Sequence, residues 1–221
     1  MQTENKIQLV TFDLDGTMLD DEWAHAEANR RIGERLGVDH TQLGRLTGYS
    51  VRMRWQELCR KAGISVDIEE LADEHFRITL ELLQEAGTAE APGLTETMSA
   101  LKRGGYAIAV ASSSDESFVR AVVELLQLTK YVDFFLTKNQ VEALKPSPEI
   151  YLTACNLANV SASQAVGVED SDPGCLALRR AGIYSIGFTN GGKNHQTMPD
   201  ANTQIASMTD LLPLLELLQK R

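Results

Sequence analysis

The 221-residue sequence contains only three cysteines, and no two of them are close enough to form a Cys-x-x-Cys motif. An odd number at wide spacing supports neither a disulfide framework nor a structural zinc site. Each cysteine is therefore expected to be a small buried hydrophobic side chain. The three are Cys59, Cys155 and Cys175.

Basic residues are too few and too scattered to form a surface for nucleic acid. Lys and Arg number 21 against 31 Asp and Glu, which gives a formal net charge of −10, whereas affinity for phosphate backbones and anionic membranes comes from Lys and Arg. No apolar run approaches the roughly 20 residues of a membrane span, and the polar segment Met1–Lys6 lacks the features of a signal peptide. We therefore expect a cytoplasmic monomer that binds neither nucleic acid nor membranes.

The sequence does have a regular alternation of short apolar runs with helical patterns. Apolar residues make up 43% and charged residues 24%, as in globular proteins. The apolar runs are Ile7–Phe12, Ala107–Ala111, Phe134–Leu136, Ala165–Val168 and Tyr184–Phe188, and the helical patterns are Thr95–Arg103, Glu116–Leu126, Glu149–Asn156, Cys175–Ala181 and Asp210–Gln219. Such alternation predicts βαβ units, and hence a parallel sheet flanked by helices.

Residues 21–87 break this alternation, because they contain helical patterns without a strand. The patterns cover Glu22–Leu36, Val51–Ala62 and Ile68–Ala86 and are separated by glycines. We expect an α/β fold in which a doubly wound, Rossmann-like core of residues 1–18 and 91–221 carries an inserted all-helical domain of residues 19–90.

Two aspartates directly follow the first predicted strand, in the segment Asp13-Leu14-Asp15-Gly16-Thr17. Ligands of parallel α/β sheets bind at the carboxyl ends of the strands, and side chains two residues apart leave a strand end on the same side. Alone, the pattern is also typical of a solvated turn. A paired-carboxylate site becomes the better interpretation only when other strand ends contribute to it.

Three further strand ends or loops carry polar groups. Ser112 follows the second strand and leads to a helix N-terminus, where free N–H groups favour anions, although a simple helix cap would look the same. Lys145 lies in a polar loop, directly before Pro146-Ser147-Pro148. Glu169 and Asp170 end a buried strand. With the first two aspartates this makes four carboxylates, which predicts a divalent cation with oxygen ligands, most naturally Mg²⁺.

In order and spacing these motifs resemble those of the haloacid dehalogenase superfamily of phosphohydrolases, and the resemblance extends over the whole chain. Within the superfamily, the chain resembles the members that carry a helical cap domain after the first motif, namely the sugar-phosphate phosphatases and β-phosphoglucomutase. The resemblance implies that Asp13 is the nucleophile, that Asp15 is the general acid and base, and that Ser112 and Lys145 hold the phosphoryl oxygens.

The same resemblance implies a metal site and a set of substrate contacts. Mg²⁺ would be held by Asp13, the backbone carbonyl of Asp15 and Asp170, with Glu169 as a ligand or behind the ligands. The substrate, a small phosphorylated metabolite, would be bound by Gly16, Thr17, Ser113, Ser114, His25, Arg52 and His75. Specificity should come from the helical domain, which is expected to move as a cap.

Two alternatives to a phosphatase remain, and the first is a phosphosugar mutase. The mutase has an arginine directly after a Gly-x-Ser segment and a lysine after the second motif, whereas this chain has Val51 after Gly48-Tyr49-Ser50 and Asp115 after Ser114. An acid at position 115 is expected to repel a second phosphate. His25, at the position of a mutase histidine, keeps this alternative open. The second alternative is a non-catalytic binding protein with the same fold.

Overall fold

The structure, a computed structural model, describes residues 6–42 and 50–220. Contacts between residues divide the chain into two units. One comprises Met1–Asp20 and Ala89–Arg221, and the other comprises Asp21–Thr88. We refer to them as the core unit and the helical unit.

The helical unit contains three described helices, α1 (Glu22–Leu36), α2 (Val51–Ala62) and α3 (Ile68–Glu85). Each has the end signals that its sequence predicts: α1 stops at Gly37, whose φ of 67° suits a glycine, and Asp67 caps α3 by accepting from the N–H groups of Glu69 and Glu70. α3 packs against both other helices. The apolar side of α3, with Leu71, Phe76 and Leu83, is therefore the centre of this unit.

The described residues of the core unit form a six-stranded, entirely parallel sheet in the order β3-β2-β1-β4-β5-β6. The strands are β1 (Leu9–Phe12), β2 (Ala107–Ala111), β3 (Phe134–Leu136), β4 (Ala165–Glu169), β5 (Tyr184–Phe188) and β6 (Thr203–Ile205). β1 and β4 are buried along their whole length, as expected of strands covered on both faces. β6 had not been expected from the sequence.

The helices that cover the sheet are α4 (Leu94–Arg103), α5 (Glu116–Leu125), α6 (Glu149–Ala158), α7 (Asp172–Ala181) and α8 (Leu211–Leu218). α7 begins three residues earlier than predicted, because Ser171 caps it by accepting from the N–H of Gly174 at 3.1 Å, and Pro173 fits the first turn of a helix. Within the described residues, no helix is long and apolar enough to cross a membrane.

The expected α/β fold with a doubly wound parallel sheet is confirmed. The strand order reverses on the two sides of β1, whose neighbours are β2 and β4. At such a switch point the loops leave towards opposite faces of the sheet and open a crevice for a ligand. The carboxyl ends of β1, β2 and β4 are therefore the place to look for a site.

Candidate active site

The sheet register brings three of the predicted motifs to one edge. Phe12 of β1 pairs with Val110 of β2 and with Val168 of β4, so Asp13 lies level with Glu169 and one residue before Ser112. Asp13 continues the ladder by donating its N–H to the carbonyl of Val168 at 3.0 Å. Asp13, Ser112 and Glu169 are consequently buried neighbours at the switch point.

Lys145 lies inside this cluster and is itself buried. Its ammonium donates to the carboxylate of Asp13, to Glu169 Oε1 at 2.6 Å and to the carbonyl of Ala111 at 2.8 Å. Burial lowers the pKa of Lys145, but the two carboxylates outweigh that effect and hold the pKa above its ordinary value. The lysine is therefore a fixed cation at the strand ends.

Negative charge nevertheless dominates around Asp13. Burial raises the pKa of Asp13 well above its ordinary range, and Glu169 raises it further, whereas Lys145 lowers it. Asp170 and Asp15 add to the repulsion. Close carboxylates of this kind stay ionised together only if another cation joins them.

Three of these carboxylates can share a metal ion. Asp13, Glu169 and Asp170 offer oxygen atoms that all lie within 4.8 Å of one another, and an all-oxygen set suits a hard cation such as Mg²⁺. Thr17 Oγ1 lies within 3.5 Å of Asp170 Oδ1. The donor set therefore fits a hard divalent cation such as Mg²⁺.

Both oxygens of Glu169 are already engaged by protein donors. Oε1 accepts from Lys145 and, at 2.5 Å, from the hydroxyl of Tyr151, while Oε2 accepts from Ser171 at 2.9 Å. The side chain is fully buried. Of the two roles that remained for Glu169, this arrangement favours the one behind the metal ligands.

Asp15 is held by the serines that follow β2. Ser114 Oγ donates to Asp15 Oδ2 at 2.8 Å, and Ser112 Oγ reaches the same oxygen at 3.3 Å. Ser112 Oγ also accepts from the N–H of Ser114 at 3.0 Å, so the two hydroxyls form one small network. Ser113, half-buried beside them, completes this loop.

Gly16 forms the turn that directly follows Asp15. Its φ is 78°, and a Cβ at this position would overlap the carboxylate of Asp170. Only glycine combines this backbone conformation with so close an approach. Gly16 thus lets the first and last motifs meet, while the buried Thr17 lies against Asp170.

The charge of Asp115 is offset within the core unit. Lys138, in the short turn after β3, places its ammonium 2.5 Å from Asp115 Oδ1, and the aspartate is buried. The same turn holds the start of α5, since Asn139 Oδ1 accepts from the N–H of Glu116 at 3.1 Å. The ion pair therefore reduces the repulsion of a second phosphate that was expected from Asp115.

The remaining candidates lie in the helical unit, where two of them, His25 and His75, contact each other. His25 Nδ1 and His75 Nε2 are 2.9 Å apart, with the rings stacked, and Asp21 Oδ2 is 3.7 Å from His25 Nε2. Burial, helped by His25 and Arg54, lowers the pKa of His75 well below its ordinary value. A buried histidine of this kind is neutral at pH 7.

Arg52 is likewise engaged within the helical unit. It forms an ion pair with Glu69 and lies 3.7 Å from Asp73. Gly48, part of the segment compared with the mutase, lies outside the described residues.

Sequence reasoning missed three residues: Tyr151 and Ser171 contact the predicted site residue Glu169, and Lys138 pairs with Asp115 beside the predicted serines. Tyr151 lies on the apolar side of α6, where an aromatic residue is typical of the core. Ser171 gave a signal as a helix cap but not as a partner of Glu169. Lys138 gave none, because its partner lies 23 positions earlier in the chain.

Comparison with known proteins agrees with this geometry. A sequence model of haloacid dehalogenase-like hydrolases matches residues 10–188. The chain is 30% identical to validoxylamine A 7'-phosphate phosphatase of Streptomyces hygroscopicus subsp. limoneus over 92% of its own length and 95% of that protein. It is 32% identical to a phosphorylated carbohydrates phosphatase of Thermotoga maritima, over 81% and 84% respectively.

A solved structure shows the same likeness in three dimensions. The crystal structure of CbbY from Rhodobacter sphaeroides in complex with phosphate superposes with a TM-score of 0.79 at 25% identity, over 93% of this chain and 96% of that one.

Proposed function

The chain belongs to the haloacid dehalogenase-like hydrolases, as a phosphoric monoester hydrolase, and we propose that it hydrolyses a small sugar or polyol phosphate with Mg²⁺. One observation carries the proposal: the buried ammonium of Lys145 is held against the carboxylate of Asp13 at the switch point of the sheet. A cation at this place offsets the repulsion between an anionic nucleophile and an anionic phosphate monoester, which is the main electrostatic obstacle to phosphoryl transfer.

The proposed reaction has two steps. A carboxylate oxygen of Asp13 attacks phosphorus, the bond from phosphorus to the sugar oxygen breaks, and Asp15 gives its proton to that oxygen. Asp15 then takes a proton from water, the water oxygen attacks phosphorus, and the bond from phosphorus to Asp13 breaks. The hydrogen bond from Ser114 holds Asp15 for both proton transfers, which leaves the Ser112 hydroxyl to donate to the phosphoryl group.

The other residues of the cluster bind and orient. Lys145 and the hydroxyl of Ser112 would hold the phosphoryl oxygens, and Asp13, Asp170 and the backbone carbonyl of Asp15 would hold Mg²⁺. The ion would supply positive charge that neutralises the phosphate and aligns it with the nucleophile.

The substrate class follows from the relatives. Two phosphatases at 30% and 32% identity act, by their names, on validoxylamine A 7'-phosphate and on phosphorylated carbohydrates. Both names describe a phosphorylated small molecule, and the second specifies carbohydrates. The cytoplasm is the setting we propose, since all three cysteines are unpaired, as in a reducing compartment. We propose a monomer because the net charge of −10 disfavours self-association.

Release of inorganic phosphate from a panel of sugar and polyol phosphates tests the function. We expect release in the presence of Mg²⁺ and its loss on addition of EDTA. Asp13→Asn should reduce kcat by at least about 10³-fold, because the amide is a poor nucleophile, while circular dichroism and thermal unfolding show a folded protein.

Asp39→Asn is the matched control, since Asp39 is exposed and its carboxylate accepts only from Thr41 in the described contacts. This variant should turn over like the wild type. Full activity of Asp13→Asn would contradict the covalent role of Asp13, and release that survives EDTA would contradict the role of the metal.

A mutase is the second candidate, because His25 stands at the position of a mutase histidine and the Asp115–Lys138 ion pair weakens one of the two arguments against it. The glucose 1-phosphate isomers are therefore tested with a parallel assay for glucose 6-phosphate. Conversion without net release of phosphate would establish a mutase and overturn the hydrolytic proposal.

A further inference from the structure

Tyr151 is a tyrosine in a place where a phenylalanine would fill the same space. It lies on α6, is fully buried, and packs in the cluster that joins α6 and α7 to the sheet. Burying a hydroxyl costs free energy unless it finds a partner. Here the partner is charged, because the hydroxyl donates to Glu169 Oε1 at 2.5 Å.

The same oxygen of Glu169 accepts from Lys145 at 2.6 Å. The ammonium of Lys145 also lies 5.2 Å from the centre of the Tyr151 ring, within reach of a cation–π interaction. Tyrosine, glutamate and lysine thus form a closed group of three, in which the hydroxyl fixes the carboxylate and the carboxylate fixes the ammonium.

The second oxygen of Glu169 is fixed from the other side. Ser171 donates to Oε2 at 2.9 Å and accepts from the N–H of Gly174 at 3.1 Å. Gly174 leaves the space that the carboxyl group occupies, since a Cβ there would overlap it. Glu169 therefore has one allowed position, with Tyr151 and Lys145 on one oxygen.

Lys145 needs such a support because its side chain is long and flexible. Two of its three hydrogen-bond acceptors, Asp13 and Glu169, are side chains, and Asp13 is phosphorylated during the proposed reaction. An acceptor that stays in place throughout the reaction keeps the ammonium aimed at the phosphoryl group.

We propose that Tyr151 is a positioning residue whose hydroxyl holds the Glu169 carboxylate, and through it Lys145, in line with a phosphate bound at Asp13. The inference rests on the proposed function and adds to it a division of labour among the acids. Glu169 supports the lysine, whereas Asp13 and Asp170 hold the metal ion.

Tyr151→Phe tests the inference, with inorganic phosphate and Mg²⁺ as separate probes in isothermal titration calorimetry on the full chain. Loss of a hydrogen bond to a charged group should weaken phosphate binding at saturating Mg²⁺ about 10-fold. The affinity for Mg²⁺ alone should stay within about twofold of the wild type, since the hydroxyl donates to Glu169, which is not one of the three proposed ligands.

Tyr184→Phe is the matched control, because Tyr184 lies at the amino end of β5, at the opposite edge of the sheet from the site. Its hydroxyl is 2.9 Å from Thr203 Oγ1. The variant removes the same atom and should change neither affinity. Thermal unfolding of both variants verifies that each is folded.

Three results would overturn the inference. Phosphate binding by Tyr151→Phe that equals the wild type would show that the hydroxyl positions nothing. A parallel fall in the affinities for phosphate and Mg²⁺ would show general loosening or direct ligation by Glu169. Folded wild-type protein that binds no phosphate with Mg²⁺ would overturn the proposed function itself, and the inference with it.

Discussion

At the scale of single residues, Gly16 is the most constrained position that the site depends on. Its φ of 78° and the overlap of a Cβ with Asp170 Oδ2 both forbid a larger residue. We expect Gly16→Ala to displace Asp170, to weaken Mg²⁺ binding at least about 10-fold and to lower kcat accordingly. Calorimetric titration with Mg²⁺ and steady-state kinetics measure both effects.

Gly105→Ala is the control that distinguishes backbone strain from displacement of Asp170. Gly105 has the same φ of 78°, but a Cβ there meets nothing within 4 Å. This variant should lose about 1–2 kcal/mol of unfolding free energy and keep its Mg²⁺ affinity. Equal Mg²⁺ affinities in Gly16→Ala and the wild type would mean that Asp170 does not hold the ion.

Residues at strand ends could be foreseen from the sequence, and residues that support them could not. Asp13, Ser112 and Glu169 each follow an apolar run, and parallel strands bring their carboxyl ends to one edge. Tyr151 and Lys138 act through partners 18 and 23 positions away. Such pairs depend on how the loops fold, which local patterns do not encode.

At the scale of secondary structure, α3 carries a buried histidine that should make the protein sensitive to acid. The pKa of His75 is depressed in the folded chain, so below the ordinary value of about 6.5 the unfolded state binds a proton that the folded state excludes. Stability from this group is complete above that pH and declines as the pH falls. Between pH 7.5 and 5.5 the loss should be about 1 kcal/mol.

Urea unfolding of wild type and His75→Gln at the two pH values measures this difference. The variant should lose about 1 kcal/mol less than the wild type on acidification, whatever its stability at pH 7.5. His195→Gln, at an exposed histidine, should follow the wild type. Equal losses in wild type and His75→Gln would show that His75 accepts a proton in the folded protein.

The elements themselves followed the hydrophobic pattern where it was strong. β2, β3 and β5 have the expected bounds, and so do α1 and α2. β6 was missed because Thr203–Ile205 is a three-residue edge strand in which only Ile205 is buried. Its pairing with β5 creates the strand, and the segment carries no alternation long enough to predict it.

At the scale of the whole molecule, the two units differ in how far the sequence predicts their function. The groups proposed for phosphate and Mg²⁺, from Asp13 to Asp170, all belong to the core unit, which spans Met1–Asp20 and Ala89–Arg221. The hydrophobic pattern distinguishes the inserted stretch, because it is helical throughout and contains no strand. Its role as a mobile cap that selects the substrate stays a prediction, since specificity rests on few residues that many metabolites would suit.

The core unit is closed at the point of insertion by its own backbone. Leu19 and Glu90 form an antiparallel bridge, and the N–H of Ala91 donates to the carbonyl of Met18 at 2.7 Å. A chain in which a Gly-Ser linker of about three residues replaces 21–88 should therefore close a short loop at little entropic cost. We expect it to unfold cooperatively and to bind phosphate with Mg²⁺ within about 10-fold of the full chain.

Turnover measurements on the shortened protein distinguish the contributions of the two units. If the helical unit selects the substrate, the shortened protein should lose preference among the sugar phosphates that the full chain distinguishes, while its affinity for inorganic phosphate persists. Calorimetry with phosphate and the same substrate panel measure the two properties on one sample. A folded core that binds no phosphate would show that the helical unit supplies part of the phosphate site. Unchanged preference would place specificity in the core unit, where Ser113 in the loop after β2 would be the first residue to examine.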